Sequence, residues 1–320
     1  ANSYMLNHLE LQAKSISANF STAKPVAPIT NGNLIIYIDA QNLMSTTYQD
    51  GYGGSLQFSL LNDLIGHHNN FTVGASADWG RVSFNQDGYL ANLLSYQTIT
   101  DSSMTLQNDV RLKTRSDYYG LYATDNFAFN DQLNMTLSGR YNIAKVNLEG
   151  HSTDYTTLPY PTPGDLNGNH EYKRFNPAVG LNYNPTKSLG FYGGYNEGMR
   201  APTPIELSCA DPSHPCALPA GFNSDPDLKM VVAKTWEGGV RGKLTQDVNW
   251  NMGLYDTRTN NDIQFIYSTQ SQGYFKNVGQ TERKGIEIGL NGKVDKLSFA
   301  ANYGFVDATY QSSFDVGAAS

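Results

Sequence analysis

The sequence predicts an all-β protein, an antiparallel transmembrane β-barrel, from three observations. Its segments alternate apolar and polar residues with a period of two. Short turns such as Asn130-Asp131-Gln132 and Pro185-Thr186-Lys187 join neighbouring segments on one side, while long polar stretches at 87–102, 149–170 and 199–229 join them on the other. Third, charged residues are only 16% and aromatics reach 12%, with 21 Tyr, although the mean hydropathy of −0.45 is hydrophilic. Few charges, many neutral polar groups and many tyrosines suit strands that meet lipid on one face and a wet lumen on the other.

The strand from Leu133 to Ile143 places Leu133, Met135, Leu137, Tyr141 and Ile143 on one face. Asn134, Thr136, Ser138, Arg140 and Asn142 share the other. Residues 248–255 repeat the pattern, with Val248, Trp250, Met252 and Leu254 against Asn249, Asn251 and Tyr255. So do Ile286, Ile288 and Leu290 against Glu287 and Asn291, and Leu297, Phe299, Tyr303 and Phe305 against Ser298, Asn302 and Gly304. The same reading predicts strands near 52–62, 70–86, 103–129, 132–148, 171–184, 188–198, 229–244, 247–266, 272–293 and 296–311, with a weaker one near 33–42. A tilted strand crosses a bilayer in about 9–11 residues, so several of these project beyond the membrane on the long-loop side. A soluble sandwich or propeller also alternates, but with short strands and a turn every 8–12 residues or so.

No apolar run reaches the roughly eighteen residues of a membrane helix, which leaves the barrel open. The net charge of −7 and pI near 5.3, with no basic stripe, exclude a nucleic-acid partner. Ala1 is not an initiator Met, residues 1–30 show no secretory signal, and 316–320 do not form an apolar closing strand. The expectation is an internal piece, about ten or eleven strands of a larger barrel. As an isolated piece it is expected to be an open sheet that transports nothing by itself.

Enzyme motifs are missing: there is no Gly-Xaa-Ser-Xaa-Gly elbow, no His-Glu-Xaa-Xaa-His and no phosphate loop. His67 and His68 fall in a short turn and define no metal site. Asp211, Asp225 and Asp227 lack calcium-loop spacing and read as solvated charges. Cys209 and Cys216 share one long loop and, in an oxidising compartment, are expected to form a local disulfide. The alternatives are two free thiols or a metal pair lacking partners.

Several segments carry a resemblance. Tyr119-Gly120-Leu121-Tyr122-Ala123-Thr124-Asp125-Asn126-Phe127, Leu137-Ser138-Gly139-Arg140-Tyr141-Asn142 and Phe175-Asn176-Pro177-Ala178-Val179-Gly180-Leu181-Asn182-Tyr183 resemble the middle barrel of TonB-dependent outer-membrane receptors. Gly198-Met199-Arg200-Ala201-Pro202 is similar to that family's Gly-Phe-Arg-Ala-Pro motif, with Met199 in place of Phe. Asp225-Pro226-Asp227-Leu228-Lys229, Thr235-Trp236-Glu237-Gly238-Gly239-Val240-Arg241, Phe275-Lys276-Asn277-Val278-Gly279 and Arg283-Lys284-Gly285-Ile286-Glu287 resemble later family segments, in order, so that the likeness spans about 52–311. It implies a barrel of about 22 strands and a plug domain. It also implies a Gram-negative outer-membrane location and energy from the TonB-ExbB-ExbD complex. Neither a plug nor a TonB box lies in this sequence. The implied activity is uptake of a scarce ligand, most often a ferric siderophore, with no resident cofactor beyond iron carried by that ligand. Haem, cobalamin or oligosaccharide are alternative ligands, and a passive porin, an adhesin or a secretion barrel are alternative functions.

The site residues follow from the pattern and the resemblance together. Arg200 ends a strand at a turn that Pro202 and Pro204 keep out of the ladder; it serves either to end the strand or to contact an anionic ligand. Haem receptors of the family place a His in the following loop, where His214 lies. Tyr155, Tyr160, Phe222 and Tyr274 are expected either as a ligand platform or as loop packing and interfacial girdle. Arg140, Glu237, Arg241 and Glu287 should face the lumen, in contact with a plug or with water, because a charge facing lipid is costly.

Overall fold

A computed structural model describes residues 3–17, 29–31, 34–36, 40–94, 97–99, 106–154, 162–210, 228–267 and 273–314. The elements are β1 (Ser3–Ser17), β2 (Ile29–Asn31), β3 (Leu34–Ile36), β4 (Ala40–Leu64), β5 (His67–Leu94), β6 (Gln97–Ile99), β7 (Leu106–Ala128), β8 (Leu133–Asp154), β9 (Thr162–Asp165), β10 (Gly168–Thr186) and β11 (Leu189–Arg200). After these come helix α1 (Pro204–Leu207), then β12 (Val231–Thr245), β13 (Val248–Asn260), β14 (Ile263–Tyr267), β15 (Gly273–Asn277), β16 (Gln280–Val294) and β17 (Leu297–Tyr310). One antiparallel sheet runs β1-β4-β5-β7-β8-β10-β11-β12-β13-β16-β17, each strand beside its predecessor, with β6 and β9 added at the long-loop end. The tight turns are built from expected residues. Asn130 folds its side-chain carbonyl onto the N–H groups of Gln132 and Leu133, both at 2.9 Å.

The structure corrects several expectations. The strand β1 lies outside every predicted segment. The weak strand near 33–42 divides into β3 and the start of β4. The expected loops at 87–102 and 149–170 are largely strand, because β5 continues to Leu94 and β8 to Asp154. The histidine turn is Ile65-Gly66, both at positive φ, while His67 and His68 already belong to β5. The predicted strands 247–266 and 272–293 each break, at Asn261 (φ 53°) and Gly279 (φ 87°). Asn and Gly tolerate the left-handed conformation. The apolar spacing at Ile263 and Phe265 continues through the break, so periodicity alone does not reveal it. The excised residues form the separate hairpin β14–β15.

Paired residues in an antiparallel ladder point to the same face. The row Gln57, Gly74, Tyr122, Arg140, Asn176 is polar, and the adjacent row Leu56, Ala75, Leu121, Tyr141, Phe175 is apolar. In the second half of the sheet, Gly194, Glu237, Tyr255 and Gly285 alternate with Gly193, Gly238, Leu254 and Ile286. Arg140, Glu237, Arg241 and Glu287 all share the polar face, opposite Leu137, Leu254 and Ile288. Glycines admit the long polar side chains. A Cβ on Gly120 would collide with the Arg140 guanidinium.

Farther along the same strands the two faces exchange polarity. In β8, Leu133 to Ile143 carry the apolar face that lipid requires. From Ala144 onward the opposite face is apolar, with Ala144, Val146 and Leu148 fully buried and Lys145 and Glu149 exposed. In β7, Leu121 and Tyr119 give way to Asp117, Arg115, Lys113 and Arg111, while Leu112 and Val110 on the other face are buried. The apolar band is thus about ten residues long, a single tilted crossing of hydrocarbon. At its upper limit Tyr52 stacks on Trp79 (5.3 Å between centroids), and the Trp79 indole donates to Tyr119 Oη at 3.2 Å.

Above this layer, side chains join the outer edges of the strands. Lys284 approaches the Glu282 carboxyl at 3.0 Å and, with the Arg258 Nε donor at 2.9 Å as the lesser contribution, holds Glu282 below the ordinary carboxylate range. Pairing of β10 with β11 stops at Ala178 and Asn196, next to Pro177, which lacks a donor. Arg174 and Glu197 form an ion pair across the gap, and Lys234 lies 3.7 Å from Glu197.

Arginine at Leu137, on the apolar face, is expected to destabilise folding into a bilayer by about 2–4 kcal/mol, whereas arginine at Asn134 should cost little. Equilibrium unfolding in lipid vesicles measures both; equal costs would refute the face assignment.

Candidate functional site

The long-loop end carries a roof that rests on the apolar upper part of the inner face. The chain leaves β11 at Arg200, and Pro202 and Pro204 end the ladder. Thr203 caps α1: its hydroxyl accepts from Glu206 N at 3.3 Å, and Glu206 Oε2 accepts from Thr203 N at 2.7 Å, a capping box with Pro at the first helical position. Glu206 also receives both terminal nitrogens of Arg200, at 2.7 and 3.1 Å. The Arg200 fork is therefore engaged within the turn, as a latch that holds α1 to the strand end.

α1 drives Leu207 and Cys209, 0% and 1% exposed, into a cluster with Val110, Leu112, Val146, Leu148 and Leu166. Cys209 is disulfide-bonded, and its carbonyl accepts from Phe275 N at 2.7 Å. The hairpin β14–β15 thereby joins the roof, with Phe265 and Phe275 in edge contact and Ile263 in the same cluster. Asn277 ties it down: its carbonyl accepts from Lys229 N (2.9 Å), and its amide donates to the carbonyls of Lys229 (3.1 Å) and Asn261 (2.7 Å). Asp262 accepts from Thr281 Oγ1 at 2.8 Å, anchoring the hairpin base on β16. Tyr172 Oη donates to Leu228 O at 2.9 Å.

Below the roof lies the polar face. Arg140 donates to Asn142 (2.6 Å) and to Ser76 (2.7 Å), and its guanidinium sits over the Tyr122 ring. Arg241 donates to Asn182 (3.3 Å) and lies over Tyr192. Glu237 and Glu287 are exposed on the same face. Both amide atoms of Asn176, register partner of Arg140, are buried without a partner among the described residues.

Of the expected platform, Tyr274 is described: it lies half-exposed in β15 opposite Ile266. Tyr155, Tyr160, Phe222, His214 and Cys216 fall outside the described residues, as do Asp211, Asp225 and Asp227. His68 meets Asp63 at 2.8 Å and His67 packs on Phe127. No group of three or more potential metal ligands occurs among the described residues. Sequence reasoning missed Glu206, Asn277 and Asp262. Thr203-Pro204-Ile205-Glu206 is a legible capping signature, whereas the partners of Asn277 are backbone groups far apart in the chain.

The comparisons agree with this geometry. The family model described as TonB dependent receptor-like, beta-barrel matches residues 4–319. The chain belongs to the TonB-dependent receptor family. Among solved structures, the ferric-catecholate import receptor Fiu from E. coli K12 superposes with a TM-score of 0.65 at 14% identity, covering 98% of this chain and 45% of the receptor. The ferric yersiniabactin uptake receptor FyuA from Yersinia pestis gives 0.62 at 14% identity, covering 86% and 38%. The copper transporter OprC gives 0.56 at 15%, covering 82% and 39%. These likenesses are of fold, and the chain spans about two fifths of the receptors' length. The TonB-dependent barrel family resides in the outer membrane of Gram-negative bacteria, and its members here are transport receptors by name.

Replacing Glu206 by Ala removes the capping acceptor and the Arg200 partner together, and is expected to weaken the roof locally by about 1–2 kcal/mol. Hydrogen exchange of residues 203–210 should quicken while β8 stays protected; unchanged exchange would contradict the latch.

Proposed function

We propose that the chain is the middle and late wall of an outer-membrane receptor that binds a scarce ligand at its external face and takes it up with energy from the TonB-ExbB-ExbD complex. The observation that carries this reading is the roof of α1 and β14–β15 over a polar face, within a barrel of the TonB-dependent family. A ferric siderophore is the ligand favoured, since the similar structures include receptors named for ferric catecholate and ferric yersiniabactin. In the whole protein Arg140, Glu237, Arg241 and Glu287 line the lumen against a plug, and the unpartnered Asn176 amide supplies a further contact there. Cys209 pairs with Cys216 in a disulfide on the external side, and Tyr155, Tyr160, Phe222 and Tyr274 surround the ligand entrance. No catalytic step is assigned to the protein.

Strains with and without the gene, grown under iron limitation, test the ligand class. Siderophore-dependent growth should require the gene, and growth unchanged by its loss would count against a ferric siderophore as the ligand. Uptake by the complete protein should stop when an uncoupler collapses the inner-membrane gradient; unchanged uptake points to a passive porin. Mass spectrometry of unreduced peptides should recover a Cys209–Cys216 cross-link, and two free thiols would defeat that pairing.

A further inference from the structure

The inner face of β10 and β11 carries a lane cleared of bulky side chains. Its floor is Ala178 and Gly180 on β10 with Gly194 and Gly198 on β11. A Cβ on Gly180 would meet nothing nearer than 4.0 Å, and one on Gly198 nothing within 4 Å. The large side chains beside the lane lean away from it. Arg140 of β8 reaches toward β5 and donates to Ser76 at 2.7 Å. Tyr192 of β11 lies across β12 and β13, where a Cβ on Gly239 or Gly253 would meet it at 2.5 or 2.8 Å. Glycine inside a strand weakens it and marks a place where another molecule comes close to the backbone.

Both ends of the lane present polar groups in need of a partner. At the upper end Asn176 is 7% exposed, and neither amide atom has a partner among the described residues. A buried amide left unsatisfied is costly, so this position calls for a hydrogen-bonding group from outside the wall. At the lower end, past Asn184, the lane opens into a cavity of about 520 Å³ lined by Lys187, Arg241 and Lys243 with Asn249 and Asn291. No carboxylate lines this cavity, although the chain carries a net charge of −7. Lys187 and Lys243 make no salt bridge within 4.0 Å to another described residue. Glu237 borders the lane from β12, 3.8 Å from where a Cβ on Gly194 would stand. We propose that this lane is the route by which an anionic, oxygen-rich metal chelate passes between wall and plug, and that the cationic cavity receives it at the periplasmic end. The Asn176 amide serves the chelate oxygens first, and the cations at the far end draw the negative charge along. The route rests on the uptake reading above, to which it adds one side of the barrel and the charge of the cargo.

Two measurements on the full-length receptor test it. In detergent, cysteine is placed at Gly180, Gly198 or Gly304, the last on the same inner face but on β17. A negatively charged methanethiosulfonate, the sulfonatoethyl reagent, should label the first two about tenfold faster than the third. Adding K187Q/K243Q should slow that reagent and leave the positively charged trimethylammonioethyl reagent unchanged. In cells, with radiolabelled ferric tris-catecholate as the probe, G180L/G198L should abolish uptake and keep surface binding, while G304L should keep both. Heat-modified gel mobility confirms that each variant is folded. Equal labelling of the three cysteines overturns the proposal, as does an equal response of the two reagents to K187Q/K243Q. So does wild-type uptake by G180L/G198L, or loss of uptake in G304L as well. Absence of uptake by the wild type would instead refute the uptake reading, and the labelling pattern would still decide whether the lane is open to anions.

Discussion

Everything in this molecule depends on satisfying backbone polar groups where no water is present. A strand in hydrocarbon must place each N–H and C=O in a ladder with its neighbours. The continuous run of pairings from β1 to β17 does this, with each strand beside its predecessor. Side chains then have one freedom left, which face they occupy, and the alternation in the sequence sets it. Position 177 shows the constraint by exception. Pro177 has no N–H to give, the β10–β11 ladder stops beside it, and Arg174 with Glu197 supplies a side-chain closure in its place.

The roof answers a different requirement. Above the membrane the strands continue into water, and their inner face would be an exposed apolar wall. The turn after β11 and the hairpin β14–β15 cover it with Leu207, Cys209, Ile263 and Phe275. The cover is held by directional contacts, Arg200 with Glu206 and Asn277 with two backbone carbonyls. Such contacts fix the roof in place by direction as well as by burial.

The fold was legible because lipid imposes a strict period-two pattern. Leu133 to Ile143 and Val248 to Leu254 announce their faces without reference to any other part of the chain. The boundaries were less legible. Asn261 and Gly279 break strands by backbone conformation while Ile263 and Phe265 keep the alternating rhythm. Loop-side strand extensions look like loops where polar residues crowd together, as from Glu149 to Asp154. The site was legible only where its signal is local. The Arg200 turn, the lumen charges and the cysteine pair could be named, but the role of Arg200 as a latch needs Glu206 brought back by a helix turn. The anchoring by Asn277 needs tertiary contacts that no local pattern encodes.

The exchange of polarity along β7 and β8 makes the two halves of each strand answerable to each other. Their pairing runs from Asn108–Asp154 to Ala128–Asn134 without a bulge. A slip of one residue would therefore turn Arg140 toward lipid and, in the same motion, drive Lys145 and Glu149 into the packed cluster beneath the roof. Membrane and external layer each reject the misaligned strand, so a single in-frame insertion here is opposed twice. The long projecting strands thus act as a vernier on the buried ones, extending the ruler against which register is measured well past the bilayer itself.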